Sequence, residues 1–261
     1  MNIGFAIADW LQMMMGDDEL SFLSHFAKNI EKFADPTDED KVSGAYGPRL
    51  KQPEFTQLHE VVAKLQYDSD SRQAVASIYD GKIDLWTESH VVPCTLSLQF
   101  LIRHGTLHTI ASMRSNDIVW GLTYDVFNFT MMQEYVAAKL KLPLGDYHHN
   151  AGSLHFYIDR DKELIKKLGL HPRVNMKMPP MPAEINIGQI YHCFKIARDL
   201  ASREFWVQLG HLKTQYEKDL ALVARHWSAR KAKQPYEAEA AYNATKGKAI
   251  RKLLRLWPIV R

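Results

Sequence analysis

Cys94 is the residue whose type and position most directly suggest covalent chemistry. It follows Pro93 and opens the run Cys94-Thr-Leu-Ser-Leu-Gln-Phe-Leu-Ile-Arg103, in which Leu96, Leu98, Phe100 and Ile102 share one parity. That alternation predicts a strand with one core face, puts Cys94 on the same parity at the strand's mouth, and lets a thiol emerge from a rigid sheet into a cavity. A solitary cysteine also serves as a small buried hydrophobe, and that reading stands beside the reactive one. Arg114-Ser115-Asn116-Asp117 lies at the end of the next strand, after the turn at His104-Gly105. A guanidinium near a thiol favours the thiolate and can also hold a phosphate. The bland alternative for the tetrapeptide is an exposed cap with a surface ion pair.

These residues need a scaffold, and the chain is long enough to supply one. It has 261 residues, 46% of them hydrophobic and 11% aromatic, enough for a substantial core. Thirty-three Lys and Arg against 30 Asp and Glu leave a net charge of +3, too balanced for a protein whose main task is coating nucleic acid. Cys94 and Cys193 form neither a disulfide framework nor a Cys-x-x-Cys metal motif, so no metal is expected. The start lacks a basic leader and no apolar run approaches a membrane span, which reads as a cytoplasmic, soluble protein.

Periodicity predicts helices over 5–15 and 19–33, divided at Gly16-Asp17-Asp18. An acidic loop, 35–40, follows, and then a glycine-rich segment, 43–49, of a kind that often approaches a ligand closely. A helix is expected from Pro53 to about Gln66 and a strand from Ala74 to Tyr79. After the hairpin come a helix over 117–139, a break at Pro143 and Gly145, and a strand carrying Gly152-Ser-Leu-His-Phe-Tyr157. A proline-rich connection, 176–182, leads to a basic, mostly helical C-terminal segment from about Ile185, with Gln234-Pro235 as its one clear interruption. No repeat or low-complexity tract is present.

Taken in order, Asp68-Ser-Asp-Ser-Arg72, Pro93-Cys94 with Gln99, Arg114-Ser-Asn-Asp117, Gly121 with Asp125, and Gly152-Ser-Leu-His155-Phe-Tyr157 resemble the thymidylate synthase superfamily. The match is closest to the related deoxycytidylate and cytidylate hydroxymethylases, and it runs from Asp9 to about Tyr157. It implies an α+β fold spanning the chain as one catalytic domain, a large mixed sheet covered by helices, and a homodimer formed through that sheet. It implies a pyrimidine nucleoside monophosphate as substrate and 5,10-methylenetetrahydrofolate as co-substrate. Cys94 would add to C6 of the base and make C5 nucleophilic, a role suited to a thiolate, which both attacks and leaves well. Arg114, Ser115 and Asn116 would lie on the substrate, the first two at its phosphate, with Arg72 reaching the phosphate in the other subunit's site. Where family members often carry a second arginine, this chain has Gln73. His155 and Tyr157, on one strand face by their i, i+2 spacing, would bind the sugar 3′-hydroxyl. Asp117 and Gly121 would lie on the folate side, Tyr46 would line the catalytic cavity, and Gln99 would support the site from its strand.

Two positions depart from the synthases in that resemblance. Asp125 stands where enzymes acting on uracil carry asparagine. An aspartyl group accepts from the cytosine amine and, when protonated, donates to N3, so the substitution selects cytosine by hydrogen-bond complementarity. Asp9 stands where a glutamate acts through water on the base, and its shorter arm demands a closer approach or an extra water. The synthases' tryptophans in the segment corresponding to 33–40 and their closing C-terminal tail have no equivalent here, since the chain ends Leu256-Trp-Pro-Ile-Val-Arg261. Both differences favour capture of water, giving a 5-hydroxymethyl rather than a 5-methyl product. The expected upstream phosphate-binding arginine is also missing or replaced. Two other readings stay open: a uracil-nucleotide methylase or hydroxymethylase in which Asp125 has another role, and a silent homologue that binds a nucleotide or another protein.

Overall fold

A computed structural model describes residues 1–87, 89, 91–168, 177–202 and 208–256. The chain termini discussed above after 256, and Met176 of the proline-rich connection, lie outside the described residues.

Helix α1 (Ile3–Met15) is capped by Asn2, whose side chain accepts from the Phe5 amide at 3.1 Å. It ends at Gly16, whose φ of 74° and amide bonds to the Gln12 and Met13 carbonyls make a left-handed C-cap. Its apolar residues face all directions, and it is the central helix, packed against six others. The single helix expected over 19–33 is instead α2 (Leu20–Phe26), an extended Ala27 and a 3₁₀ turn over Lys28–Phe33. Phe22, Leu23 and Phe26 bury one face of α2, whereas nothing in 28–33 is fully buried, so no packed face carries the helix on.

Part of the glycine-rich segment is regular after all, forming the short helix α3 (Gly47–Leu50). Strands β1 (Lys51–Gln52) and β2 (Phe55–Thr56) make a tight hairpin with Pro53 as the first of its two turn residues, so α4 runs over Gln57–Tyr67, later than expected. Strand β3 (Val75–Ser77) and the short α5 (Gly81–Asp84) precede the main hairpin, β4 (Thr95–Arg103) and β5 (Thr106–Met113). His104 and Gly105 turn it, both at positive φ. A two-residue strand, β6 (Asn116–Asp117), then delays helix α6 to Gly121–Leu140. Strand β7 spans Leu144–Ala151 and β8 only Leu154–His155, so Tyr157 lies beyond the strand expected to carry it, just ahead of α7 (Ile158–Leu168). Helices α8 (Ile187–Ala201), α9 (Gln215–Lys231), α10 (Pro235–Ala244) and α11 (Lys248–Leu256) complete the described chain. Besides Gln234-Pro235, this segment also leaves helix over 208–214 and at 245–247, where buried Asp219 accepts from the Lys246 and Gly247 amides. Its basic residues Lys246, Lys248, Lys252 and Arg255 are exposed, while Ile250 and Leu254 of the same segment are buried.

The four-stranded sheet has order β3-β4-β5-β7, antiparallel except for β5 and β7, which α6 connects as a parallel crossover. Leu98, Phe100, Leu107, Ala111 and Met113 fill the face under α4 and α6. The opposite face carries Val75, Gln99, Leu101, His108, Ile110, Asp146 and His148, all half-buried or exposed. Beyond the ends of β5 and β7, strands β6 and β8 pair in parallel and carry the chain into the site.

Candidate active site

A cavity of about 860 Å³ opens where the mouth of β4, the end of β5, the first turns of α6, one side of α1, the 3₁₀ turn and the glycine-rich loop converge. Every site residue expected from sequence lines it except Arg72 and Gln99. Gln99 lies on the open sheet face, where its amide donates to the Arg72 carbonyl at 2.9 Å. It therefore holds the segment bearing exposed Arg72 and does not support this cavity from its strand as expected.

Cys94 reaches the cavity by a different route from simple alternation. The β4–β5 register shifts between Thr95 and Ser97, so that Thr95 is wholly buried and Leu96 exposed. This bulge breaks the parity that sequence extended back to Cys94. The Arg114 guanidinium donates to the Pro93 carbonyl at 3.0 Å and the Val92 carbonyl at 2.8 Å, and lies 3.9 Å from Cys94 Sγ. Burial nevertheless pushes the thiol above its usual pKa, outweighing the pull of Arg114, and Asp125 adds to the rise. The thiol form is therefore favoured at neutral pH. The glycine-rich loop lines the cavity over 42–47, as a segment that approaches a ligand should, and is also packed closely on protein. At Gly44, with φ of 67°, a Cβ would stand 2.9 Å from the Val91 carbonyl oxygen, and at Gly47 2.5 Å from that of Asp17. This packing places Tyr46 on the cavity wall with its ring stacked on Phe129. Burial raises its pKa well above the usual value and keeps it a neutral phenol.

Two of the carboxyl groups that line the cavity are pushed up by burial. Asp9, on α1, accepts from the Asn128 amide at 2.7 Å, and burial lifts its pKa to about 7 against that bond. Asp125, on the second turn of α6, accepts from the Asn116 amide at 2.6 Å. Burial, with a smaller contribution from the charge of Asp9, lifts it to about 7 as well. Both are proton carriers near neutral pH. Gly121 leaves room for the Asn116–Asp125 contact, because a Cβ there would fall 2.9 Å from the Asn116 amide nitrogen. Behind Asn116, its carbonyl oxygen meets His149 Nε2 at 3.1 Å, and His149 Nδ1 meets the Tyr147 hydroxyl at 2.7 Å.

At the rim, His155 and Tyr157 are in edge-to-face contact, their ring centres 5.2 Å apart, although only His155 belongs to a strand. Tyr157 is placed by the start of α7, where its amide donates to Asp161. Asp117 accepts from the Val119 amide at 2.9 Å and pairs with Arg160, which also pairs with Asp161 and lies over the Tyr157 ring. A pterin seeking Asp117 meets a carboxylate already held by arginine. Ile30, Phe33 and Trp120 supply an apolar part of the cavity lining, and the Lys32 ammonium lies 5.0 Å from the Phe33 ring centre.

Arg160, Asn128, His149 and Tyr147 were missed from sequence. Asn128 alone left a signal, lying three residues after Asp125 and so on the same helix face. On the open sheet face His108, Asp146 and His148 draw together. His108, however, accepts from the Asp146 amide at 3.0 Å and contacts Thr106 Oγ1 at 2.9 Å, which engages both ring nitrogens.

A fold of this kind, with a thiol, an arginine and two protonatable carboxyls around one cavity, defines a class that comparison with known proteins identifies. The thymidylate synthase family model matches residues 1–197, and the chain belongs to that family. Deoxyuridylate hydroxymethyltransferase of Bacillus phage SP01 is 32% identical over 171 residues, 60% of this chain and 44% of the phage protein. The protein of the same name from Pseudomonas phage M6 is 29% identical over 183 residues, 69% of this chain and 50% of its own. The matched region thus spans about half the length of these relatives. Among solved structures, thermostable thymidylate synthase A from Bacillus subtilis superposes with a TM-score of 0.58 at 19% identity, covering 71% of this chain and 70% of that one, which establishes the shared α+β fold. Among the described residues no helix is long and apolar enough to cross a membrane.

Proposed function

We propose that this protein transfers a one-carbon unit to C5 of a cytidine nucleotide, dCMP or CMP, giving the 5-hydroxymethyl product through a covalent Cys94–C6 adduct. The observation that carries this reading is Asp125, buried in the cavity that holds Cys94 and raised to about 7, so that near neutrality a large fraction is the acid. As the acid it donates to N3 from one oxygen and accepts the 4-amino group at the other.

The nucleotide's phosphate enters beside Arg114 and Ser115, while His155 and Tyr157 meet the sugar. Arg114 offsets the cost of the thiolate as Cys94 forms it, and Cys94 then adds to C6, leaving negative charge at C5 and on the ring atoms next to Asp125. 5,10-Methylenetetrahydrofolate supplies the carbon as an electrophile at the oxidation level of formaldehyde. The apolar lining at Ile30, Phe33 and Trp120 suits its flat ring, and Asp117 can accept the ring's N–H donors once Arg160 yields. C5 bonds the methylene carbon, the C5 proton is lost and the folate nitrogen leaves with its electron pair as tetrahydrofolate, which gives an exocyclic methylene. Asp9, a proton carrier held by Asn128, positions the water that adds to that methylene and takes up its proton, after which the electron pair returned to C5 expels the Cys94 sulfur from C6. The names of the two phage relatives support the hydroxymethyl outcome. They also favour a second reading, the same reaction on a uracil nucleotide, with Asp125 donating to O4.

Incubating the protein with CMP, dCMP, UMP or dUMP plus methylenetetrahydrofolate and analysing products by mass spectrometry tests both readings. A 5-hydroxymethyl cytidine nucleotide is expected. A uridine product alone supports the second reading, and no C5 product from any of the four overturns both.

The open sheet face and exposed Arg72 support a homodimer in which Arg72 completes the phosphate site of the other subunit. Arg72→Ala and Cys94→Ala proteins, each inactive, should complement when mixed. Random exchange gives one intact site in four, hence recovery of about a quarter of wild-type activity. No recovery despite verified subunit exchange would count against shared sites.

A further inference from the structure

We infer that His149, which does not line the cavity, is a positioning residue that acts through Asn116 to set which oxygen of Asp125 can carry a proton, and so how strictly the site chooses its base. This rests on the reading that Asp125 contacts the pyrimidine.

The argument begins with the buried amide of Asn116, which is engaged at both ends. Its nitrogen lies 2.6 Å from Asp125 Oδ2 and its oxygen 3.1 Å from His149 Nε2. An amide oxygen only accepts, so Nε2 carries the imidazole proton and Nδ1 of the neutral ring accepts from the Tyr147 hydroxyl at 2.7 Å. Burial lowers the pKa of His149 and so favours that neutral ring. Donation therefore runs one way, from Tyr147 to His149 to Asn116 to Asp125. At the end of this chain Oδ2 is held as an acceptor, and a proton on Asp125 resides on Oδ1.

The opposite polarity is the only other self-consistent one. Turning the Asn116 amide over would set its oxygen against Oδ2, which would then need the proton. The amide nitrogen would donate to a bare Nε2, and Nδ1–H would donate to the Tyr147 oxygen. The Tyr147 hydroxyl proton would then be left with no acceptor among the described residues. The observed polarity satisfies one more donor within the protein, and leaving the half-buried hydroxyl unmet carries a cost that this polarity avoids. Because cytosine and uracil present opposite donor and acceptor patterns at N3 and C4, exchanging the protonated oxygen of Asp125 exchanges the preferred base. His149 suppresses that exchange from behind the binding surface.

The test is the ratio of dissociation constants for dCMP and dUMP, measured by titration calorimetry on the full chain. His149→Phe removes the donor to Asn116 and should move the ratio about tenfold toward unity, while His149→Gln, which restores a donor, should stay within about twofold of wild type. Loss of packing alone would weaken both nucleotides together and leave the ratio where it was. Should His149→Phe fail to fold, Tyr147→Phe, which deletes one hydroxyl, should narrow the ratio about threefold. An unchanged ratio in the folded variant, with Asp125→Asn still shifting it, would overturn the inference and leave the functional reading intact. Wild-type protein that binds neither nucleotide would overturn that reading and this inference together.

Discussion

Cys94→Ala should abolish turnover, by roughly 10⁴-fold or more, and should equally abolish exchange of the C5 hydrogen of the nucleotide with solvent. The two losses belong together because C5 of a pyrimidine becomes carbanion-like only after a nucleophile has added to C6. Exchange needs no folate, so it isolates the thiol's contribution from that of the co-substrate. The raised pKa of the resting thiol adds a second signature: wild-type exchange should rise with pH through neutrality as the thiolate fraction grows. Cys193 is the internal control. It is buried, its thiol facing the Glu217 carbonyl at 3.7 Å, and Cys193→Ala should retain exchange. Exchange retained in Cys94→Ala would sink the assignment.

Asp125→Asn should change base choice. The amide donates to O4 and accepts from N3–H, so kcat/KM should fall for cytidine nucleotides and rise for uridine nucleotides. Mismatched buried polar groups cost about 1–3 kcal/mol each, and the ratio should move by roughly one to two powers of ten. The same substitution has a stability signature of opposite tendency. A carboxyl held at about 7 in the folded protein, against about 3.9 when unfolded, keeps a proton that the unfolded chain releases. Its contribution is therefore fully present below about pH 4 and is lost as pH rises toward 7 and beyond. Asparagine has no proton to lose. At pH 8 the variant should be the more stable protein by about 4 kcal/mol, with the difference vanishing near pH 4, as read by urea denaturation at the two pH values. A preference unmoved by the substitution would show that Asp125 does not read the base.

Some of this was legible from the chain alone. The spacing of apolar residues in 5–15 and 95–113 located the first helix and the hairpin because the 3.6- and 2-residue periods are local properties. Nearly all the side chains singled out with the ordered short motifs line the cavity, since each motif carries its own turn or strand end with it. Local pattern could not show the bulge at Thr95, the delayed start of α6 or the break at 245–247, which depend respectively on pairing with Met113, on the β6–β8 strand pair and on a carboxylate 27 residues away. Nor could it assign protonation. Asp9 and Asp125 are ordinary acids in sequence, and the enclosing fold raises them by removing water. The contacts that tune them, Asn128 on Asp9 across 119 residues and His149 on Asn116 across 33, join elements whose meeting is decided by sheet order and helix packing. The residue types that can do the chemistry were thus set by sequence, while their charge states and the direction of their hydrogen bonds were set by tertiary structure, because solvation and long-range pairing exist only once the chain has closed around them.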